Sequence, residues 1–226
     1  NGENDFTIWM GDVRTQEVKL NIGNANISDP NKPVVLEIHG LADTPEVFRQ
    51  SLNENPSLEQ RISEDFSVMT FQYPTEQLPS INAFYLQKEI DRLDIKAPIY
   101  IVAHSMGGLV ARNFVNFFDT RHLVKKIVFL ATPNDGVDIT NGQLNDYLDV
   151  LLNNKGNGRL IYNIGPGPRS LLRNPSLSSE LSTLNQVRGP FDIDYLHGYD
   201  KIAEKIPRNE YNTSRLTAVH NEYEEE

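Results

Sequence analysis

Ser105 stands where an apolar β-type run, Ile99–Ala103, meets a helical pattern of Leu109, Val110, Arg112, Asn113 and Phe114. His104 precedes it, Met106-Gly107-Gly108 follow it, and no turn residues intervene. A strand that reverses into a helix over one residue forces that residue into a sparsely populated backbone conformation and pushes its side chain out of the turn, which is the geometry of a nucleophile elbow. The bend crowds the positions two before and two after the serine, and these are the small residues Ala103 and Gly107, giving A-x-S-x-G. The N–H groups that open the following helix favour negative charge developing at the serine.

A serine hydroxyl needs a base to take its proton, and the base needs a carboxylate to fix its tautomer. In a parallel α/β sheet such groups sit in loops at the carboxyl ends of strands. His220 directly follows the strand pattern Arg215–Val219 and fits the chain order serine, acid, histidine. His197 lies inside a strand pattern and is read as packing, and His122 lies among Arg121, Lys125 and Lys126 and is read as a surface residue. His104 neighbours the serine but is directed elsewhere, and His39 belongs to a separate motif. Asp200, in the turn Gly198-Tyr199-Asp200, is the favoured acid; Asp135 is the runner-up and Asp138 the third. Asp192 and Asp194 precede or lie within their strand and fit poorly. A tetrahedral intermediate also needs an oxyanion hole, each well-placed donor contributing roughly 3 kcal/mol. The backbone N–H of Met106 and an N–H from the loop after Val34–Ile38 are the candidates, and in His39-Gly40-Leu41 the second is Leu41.

The elements that must position these residues follow from periodicity and breakers. Val34–Ile38 is a nearly continuous apolar run after the break Asp29–Pro33, as in a strand buried on both faces. Helical spacing covers Pro45–Ile62 in two pieces because of Pro56, Phe66–Tyr73 alternates as a strand, and Ser80–Leu93 reads as a helix with Ser80 as N-cap. Lys126–Ala131 and Ile193–His197 are further strands, and Thr7–Met10 with Glu17–Ile22 suits an antiparallel pair at a sheet edge. Strands alternating with helices imply right-handed crossovers and a mostly parallel sheet. Residues 137–190 break the rhythm, with turns at 156–158 and 165–168. Leu144, Tyr147, Leu148, Leu151 and Leu152 form a helical stripe there, which serves equally as a lid over the serine or as an ordinary covering helix.

A chain of 226 residues is read as one α/β domain, residues 1–226. The net charge of −10 argues against nucleic acid or an anionic membrane as a constitutive partner. No apolar run approaches the roughly 20 residues of a membrane span. The absence of cysteine excludes disulfides, thiolate metal sites and a cysteine nucleophile together. Asn1–Asp5 lack a basic start and an apolar core, so a signal peptide is expected to be absent or already removed, and the compartment stays open. The acidic end Glu222–Glu226 reads as a solvated tail.

These motifs together resemble the α/β-hydrolase superfamily. Ala103-His104-Ser105-Met106-Gly107-Gly108 is similar to the elbow of the minimal bacterial lipases, which also place alanine at the first small position, and His39-Gly40-Leu41 resembles their oxyanion loop. Ala131–Gly136, A-T-P-N-D-G, resembles the T-P-x-x-G after the next strand in lipases and inositol-deacylase-like esterases. The resemblance runs from Pro33 to His220, with the cap region matching loosely. It implies an α/β-hydrolase fold, a mostly parallel central sheet flanked by helices, with a cap or lid insertion over 137–190. It further implies Ser105 as nucleophile, Asp200 as acid, His220 as base and Leu41 and Met106 as oxyanion donors, acting on lipid or other apolar acyl esters with no metal or organic cofactor. His220 is followed by Asn221-Glu222-Tyr223, where the family carries small or apolar residues, so acidic charge comes near the site. A catalytically silent binding module of the same fold, and a thioesterase or acyltransferase using the same triad, are the alternatives.

Overall fold

β2 (Val34–Ile38) is buried along its whole length, as its unbroken apolar sequence requires of a strand covered on both faces. The computed structural model describes residues 18–23, 25–51, 55–137, 166–172, 179–186 and 195–196. Among them, β2 lies between β3 (Ser67–Gln72) and β4 (Ile99–His104), with β1 (Lys19–Asn21) beyond β3, and β5 (Val124–Leu130) and β6 (Tyr195–Leu196) beyond β4. The order is β1-β3-β2-β4-β5-β6, and every pairing is parallel except β1 with β3. The fold is therefore the expected α/β architecture with a mostly parallel sheet. β1 falls within the expected strand Glu17–Ile22, but its antiparallel ladder runs to β3, Lys19 facing Gln72; Thr7–Met10 lies outside the described residues.

Pro56 divides the helical stretch after β2 into a 3₁₀ segment, Pro45–Arg49, and α1 (Leu58–Ile62). A capping box closes the start of α1, with Ser57 and Gln60 each accepting the other's backbone N–H. α2 (Pro79–Arg92) is capped by Leu78 and not by Ser80. Proline at the first helical position is pre-set for the turn, and the orphan N–H of Ser80 donates instead to Glu180 Oε1 at 2.7 Å. α3 (Met106–Phe117) follows β4 at once. The expected turn at 165–168 is in fact a short helix, α4 (Pro166–Arg169). Gly167 is needed there because a Cβ would stand 2.1 Å from the Thr75 carbonyl oxygen. α5 (Ser179–Gln186) completes the described helices, and Arg112 of α3 donates to the Leu184 carbonyl and the Asn185 side chain.

One buried cluster joins alternate strand residues, Leu36, Ile38, Ile99, Ile101 and Ala103, to Leu86 and Ile90 of α2 and Leu109, Val110 and Phe114 of α3. Glu37, level with Thr70 and Val102, belongs to the other face of the sheet. It is fully buried, and neither carboxyl oxygen has a hydrogen-bond partner among the described residues. Burial pushes its pKa from 4.5 up to about 8, with Glu59 adding to the rise and Arg49 opposing it.

The sign of the consequence follows from proton linkage. The folded state holds this proton more tightly than the unfolded chain, so stability falls as pH rises from about 4.5 through about 8 and then levels. Glu37→Gln is expected to flatten that slope and to raise the thermal midpoint at pH 9 relative to wild type. Thermal unfolding of both proteins at pH 5 and pH 9 checks this, since an equal loss in both would assign the slope to another group.

Candidate active site

Ser105 occupies the single residue between β4 and α3, with φ 51° and ψ −124°. That region is open to glycine and costs other residues on the order of 1–3 kcal/mol. Two backbone bonds hold the reversal: the Ser105 N–H donates to the Leu130 carbonyl at 2.8 Å, and its carbonyl accepts the Gly108 N–H at 3.0 Å. The first turn of α3 lies directly on the carboxyl end of β2. A Cβ at Gly107 would stand 2.4 Å from the carbonyl oxygens of both Ile38 and His39. The sequence pattern demanded a small residue at 107, and the structure names β2 as the reason. It also gives Gly108 a role that sequence reasoning missed, because a Cβ there would stand 2.0 Å from Thr132 Oγ1 in the loop after β5.

The loop after β2 closes on the serine from the other side. A Cβ at Gly40 would stand 3.0 Å from Ser105 Cβ and from His104 Nδ1, so this backbone packs against the elbow. Leu41, next along, is buried, and Met106 is fully buried at the first position of α3, where its N–H has no intrahelical partner. His39 is fully buried, its ring stacked on Tyr73 with centroids 4.3 Å apart. Burial lowers its pKa to about 4, so the ring is neutral near pH 7, and its Nδ1, 2.9 Å from the Gly40 carbonyl oxygen, carries the proton donated there. The hydroxyl of Tyr73 donates to the His39 carbonyl, and the Ala42 N–H donates to Thr75 Oγ1 at 3.1 Å. Neither Tyr73 nor Thr75 was marked by any motif in the sequence. Asp43 is half-buried beside them, and burial raises its carboxyl above the usual range.

Asp135 is exposed in the loop after β5, at the same sheet edge as Ser105. Its neighbour Asn134 is buried and held by Arg112, which donates to the Asn134 carbonyl at 2.9 Å. Asp200, His220, Asp138, His197 and the stripe Leu144–Leu152 lie outside the described residues. His104, whose Nδ1 also faces Gly40, lines a largely apolar cleft of about 420 Å³ with Val47, Phe48, Leu58 and Leu130. His122 is exposed, in keeping with a surface residue. Among the described residues no group of three or more His, Asp or Glu side chains could hold a metal ion, and no helix is long and apolar enough to cross a membrane.

A family model described as "Domain of unknown function (DUF7379)" matches residues 9–177. The chain belongs to this family. DUF7379 thus covers β1 to β5 and the serine reversal, and ends before β6. The chain is 30% identical over 99 residues to the Uncharacterized protein YJR098C of Saccharomyces cerevisiae, a match covering 42% of this chain and 14% of that protein. Among solved structures it is similar to the phospholipase PlaB from Legionella pneumophila, with a TM-score of 0.50 and 15% identity over 72% of this chain and 37% of that one. It is also similar to the Bacillus licheniformis lipase BlEst2 in mature form, with a TM-score of 0.48 and 19% identity over 77% of this chain and 66% of that one. At such identities the likeness is one of fold. This DUF7379 chain has the α/β-hydrolase architecture, and it spans about a seventh of its yeast relative.

Two substitutions test the local geometry through stability alone. Ser105→Gly relieves the positive φ and is expected to raise stability by roughly 1 kcal/mol, after allowing for the greater freedom of glycine in the unfolded chain. Gly107→Ala forces a methyl group against two backbone oxygens and is expected to lower the midpoint sharply or to prevent folding. Denaturant unfolding of the two variants checks both signs.

Proposed function

We propose that this chain is a serine hydrolase that cleaves carboxylic esters, with lipid or other apolar acyl esters as substrates, through an acyl-enzyme on Ser105. The observation that carries the reading is the strained reversal at Ser105, with the N-terminus of α3 on one side and the Gly40–Leu41 backbone on the other. An exposed loop serine has no need of such strain, whereas a nucleophile presented to a substrate above the sheet does. The α/β-hydrolase fold and the resemblance of the elbow to that of the minimal lipases support the same reading.

In this mechanism His220 takes the Ser105 proton as Oγ attacks the acyl carbon, and Asp200 orients the imidazole and stabilises its charged form. The N–H groups of Leu41 and Met106 hold the oxyanion, and His220 then protonates the departing alcohol. Water, deprotonated by His220, attacks the acyl-enzyme, and collapse returns the proton to Ser105 Oγ and releases the acid. Asp135 is the alternative carboxylate, since it also follows a strand at this edge. The domain is read as 1–226, with 137–190 forming a cap over the site.

Hydrolysis of p-nitrophenyl esters of increasing acyl length, with fluorophosphonate labelling, tests this. Ser105→Ala is expected to abolish labelling, and Ser105→Ala, Asp200→Asn and His220→Ala to lower kcat by about 10⁴-fold or more. Asp135→Asn is expected to leave kcat near wild type. Loss in Asp135→Asn and not in Asp200→Asn would transfer the acid role, and a wild type that neither hydrolyses nor labels would replace the enzyme with a binding module of the same fold.

A further inference from the structure

The peptide between Gly40 and Leu41 is the one whose direction matters for the proposed oxyanion hole. In a trans peptide the N–H points opposite to the C=O, so whatever fixes the Gly40 carbonyl also aims the Leu41 N–H. That carbonyl accepts from His39 Nδ1, and the His39 ring lies stacked on Tyr73. The flanking peptides are held as well. The one before, through the His39 carbonyl, accepts the Tyr73 hydroxyl, and the one after, through the Ala42 N–H, donates to Thr75 Oγ1. Ala42 sits at φ 54°, a conformation that an alanine keeps only when its surroundings impose it.

Tyr73 and Thr75 are buried and belong to the loop after β3, which is itself anchored. Asn82 of α2 donates to the Pro74 carbonyl at 3.1 Å, and the Gly167 N–H of α4 donates to the Glu76 carbonyl at 2.8 Å. The loop after β2 therefore rests on a loop tied to two helices.

We infer that Tyr73 and Thr75 are positioning residues for the oxyanion hole, holding the peptides on either side of Gly40–Leu41 so that the Leu41 N–H points at the carbonyl oxygen of a substrate on Ser105. The inference rests on Ser105 as nucleophile and Leu41 as donor. Both hydroxyls act through backbone groups and neither touches the substrate. Their removal leaves substrate binding in place and weakens the interaction that grows in the transition state.

The test uses Tyr73→Phe, which keeps the ring under His39, Thr75→Val, which keeps the shape of threonine, and Thr75→Ser, which keeps the hydroxyl. Each is assayed for kcat and KM on a p-nitrophenyl ester, for inhibition by a trifluoromethyl ketone that forms an oxyanion on the serine, and for thermal midpoint. Tyr73→Phe and Thr75→Val are expected to lose roughly tenfold in kcat with KM changed less than about twofold, and to weaken the ketone by a similar factor, while Thr75→Ser stays near wild type. Wild-type kcat in both Tyr73→Phe and Thr75→Val, or equal loss in Thr75→Ser and Thr75→Val, overturns the positioning role while leaving the serine hydrolase intact. A wild type that neither hydrolyses the ester nor reacts with fluorophosphonate overturns the hydrolase reading itself and removes the basis of this one.

Discussion

The structure turns on the contact between the first turn of α3 and the carboxyl end of β2. Gly107 lets the helix come to rest on the carbonyl oxygens of Ile38 and His39, with no room for even a methyl group. That approach fixes where α3 begins, and with it the reversal that leaves Ser105 at φ 51°. It also places the loop after β2 against Ser105, because Gly40 directly follows the residue whose carbonyl Gly107 meets. One steric requirement thus sets the serine, the helix N-terminus and the neighbouring Gly40 backbone together.

Three of the five described non-glycine residues at positive φ lie at this sheet edge, the other two, Asp94 and His122, preceding β4 and β5. Ala42, Ser105 and Ala131, at φ 54°, 51° and 50°, follow β2, β4 and β5 at their carboxyl ends. Each is a non-glycine residue in a region that a Cβ disfavours, so the edge is held by its surroundings against local preference. Those surroundings are visible. Thr75 takes the Ala42 N–H, Leu130 takes the Ser105 N–H, and Arg112 grips Asn134 in the loop that Ala131 opens. A stiff, strained edge above a well-packed cluster of aliphatic and aromatic residues is the arrangement by which a sheet presents groups to a ligand.

Burial suppresses charge close to this edge in two opposite ways. Glu37 is kept protonated and His39 is kept unprotonated, each by loss of solvent. A neutral His39 has one N–H and one bare nitrogen, and the N–H goes to the Gly40 carbonyl. The loop beside Ser105 is therefore shaped by hydrogen bonds, with no ion pair to it among the described residues.

Sequence alone determined the alternation of strands and helices, because apolar period and breakers are local properties. Val34–Ile38 is the strand β2 to the residue, and Pro56 divides its helical stretch as a missing N–H must. It also singled out Ser105, since strand, small residues and helix stand side by side in the chain. Tertiary structure decided what depends on residues distant in sequence. It set the partner of β1, gave the start of α2 to Leu78 and Glu180 and not to Ser80, and folded Gly167 into a helix pressed on Thr75. Tyr73 and Thr75 carry no motif, because their roles rest on hydrogen bonds to His39 and Ala42, residues 34 and 33 positions away, and such contacts leave no periodic trace in the chain.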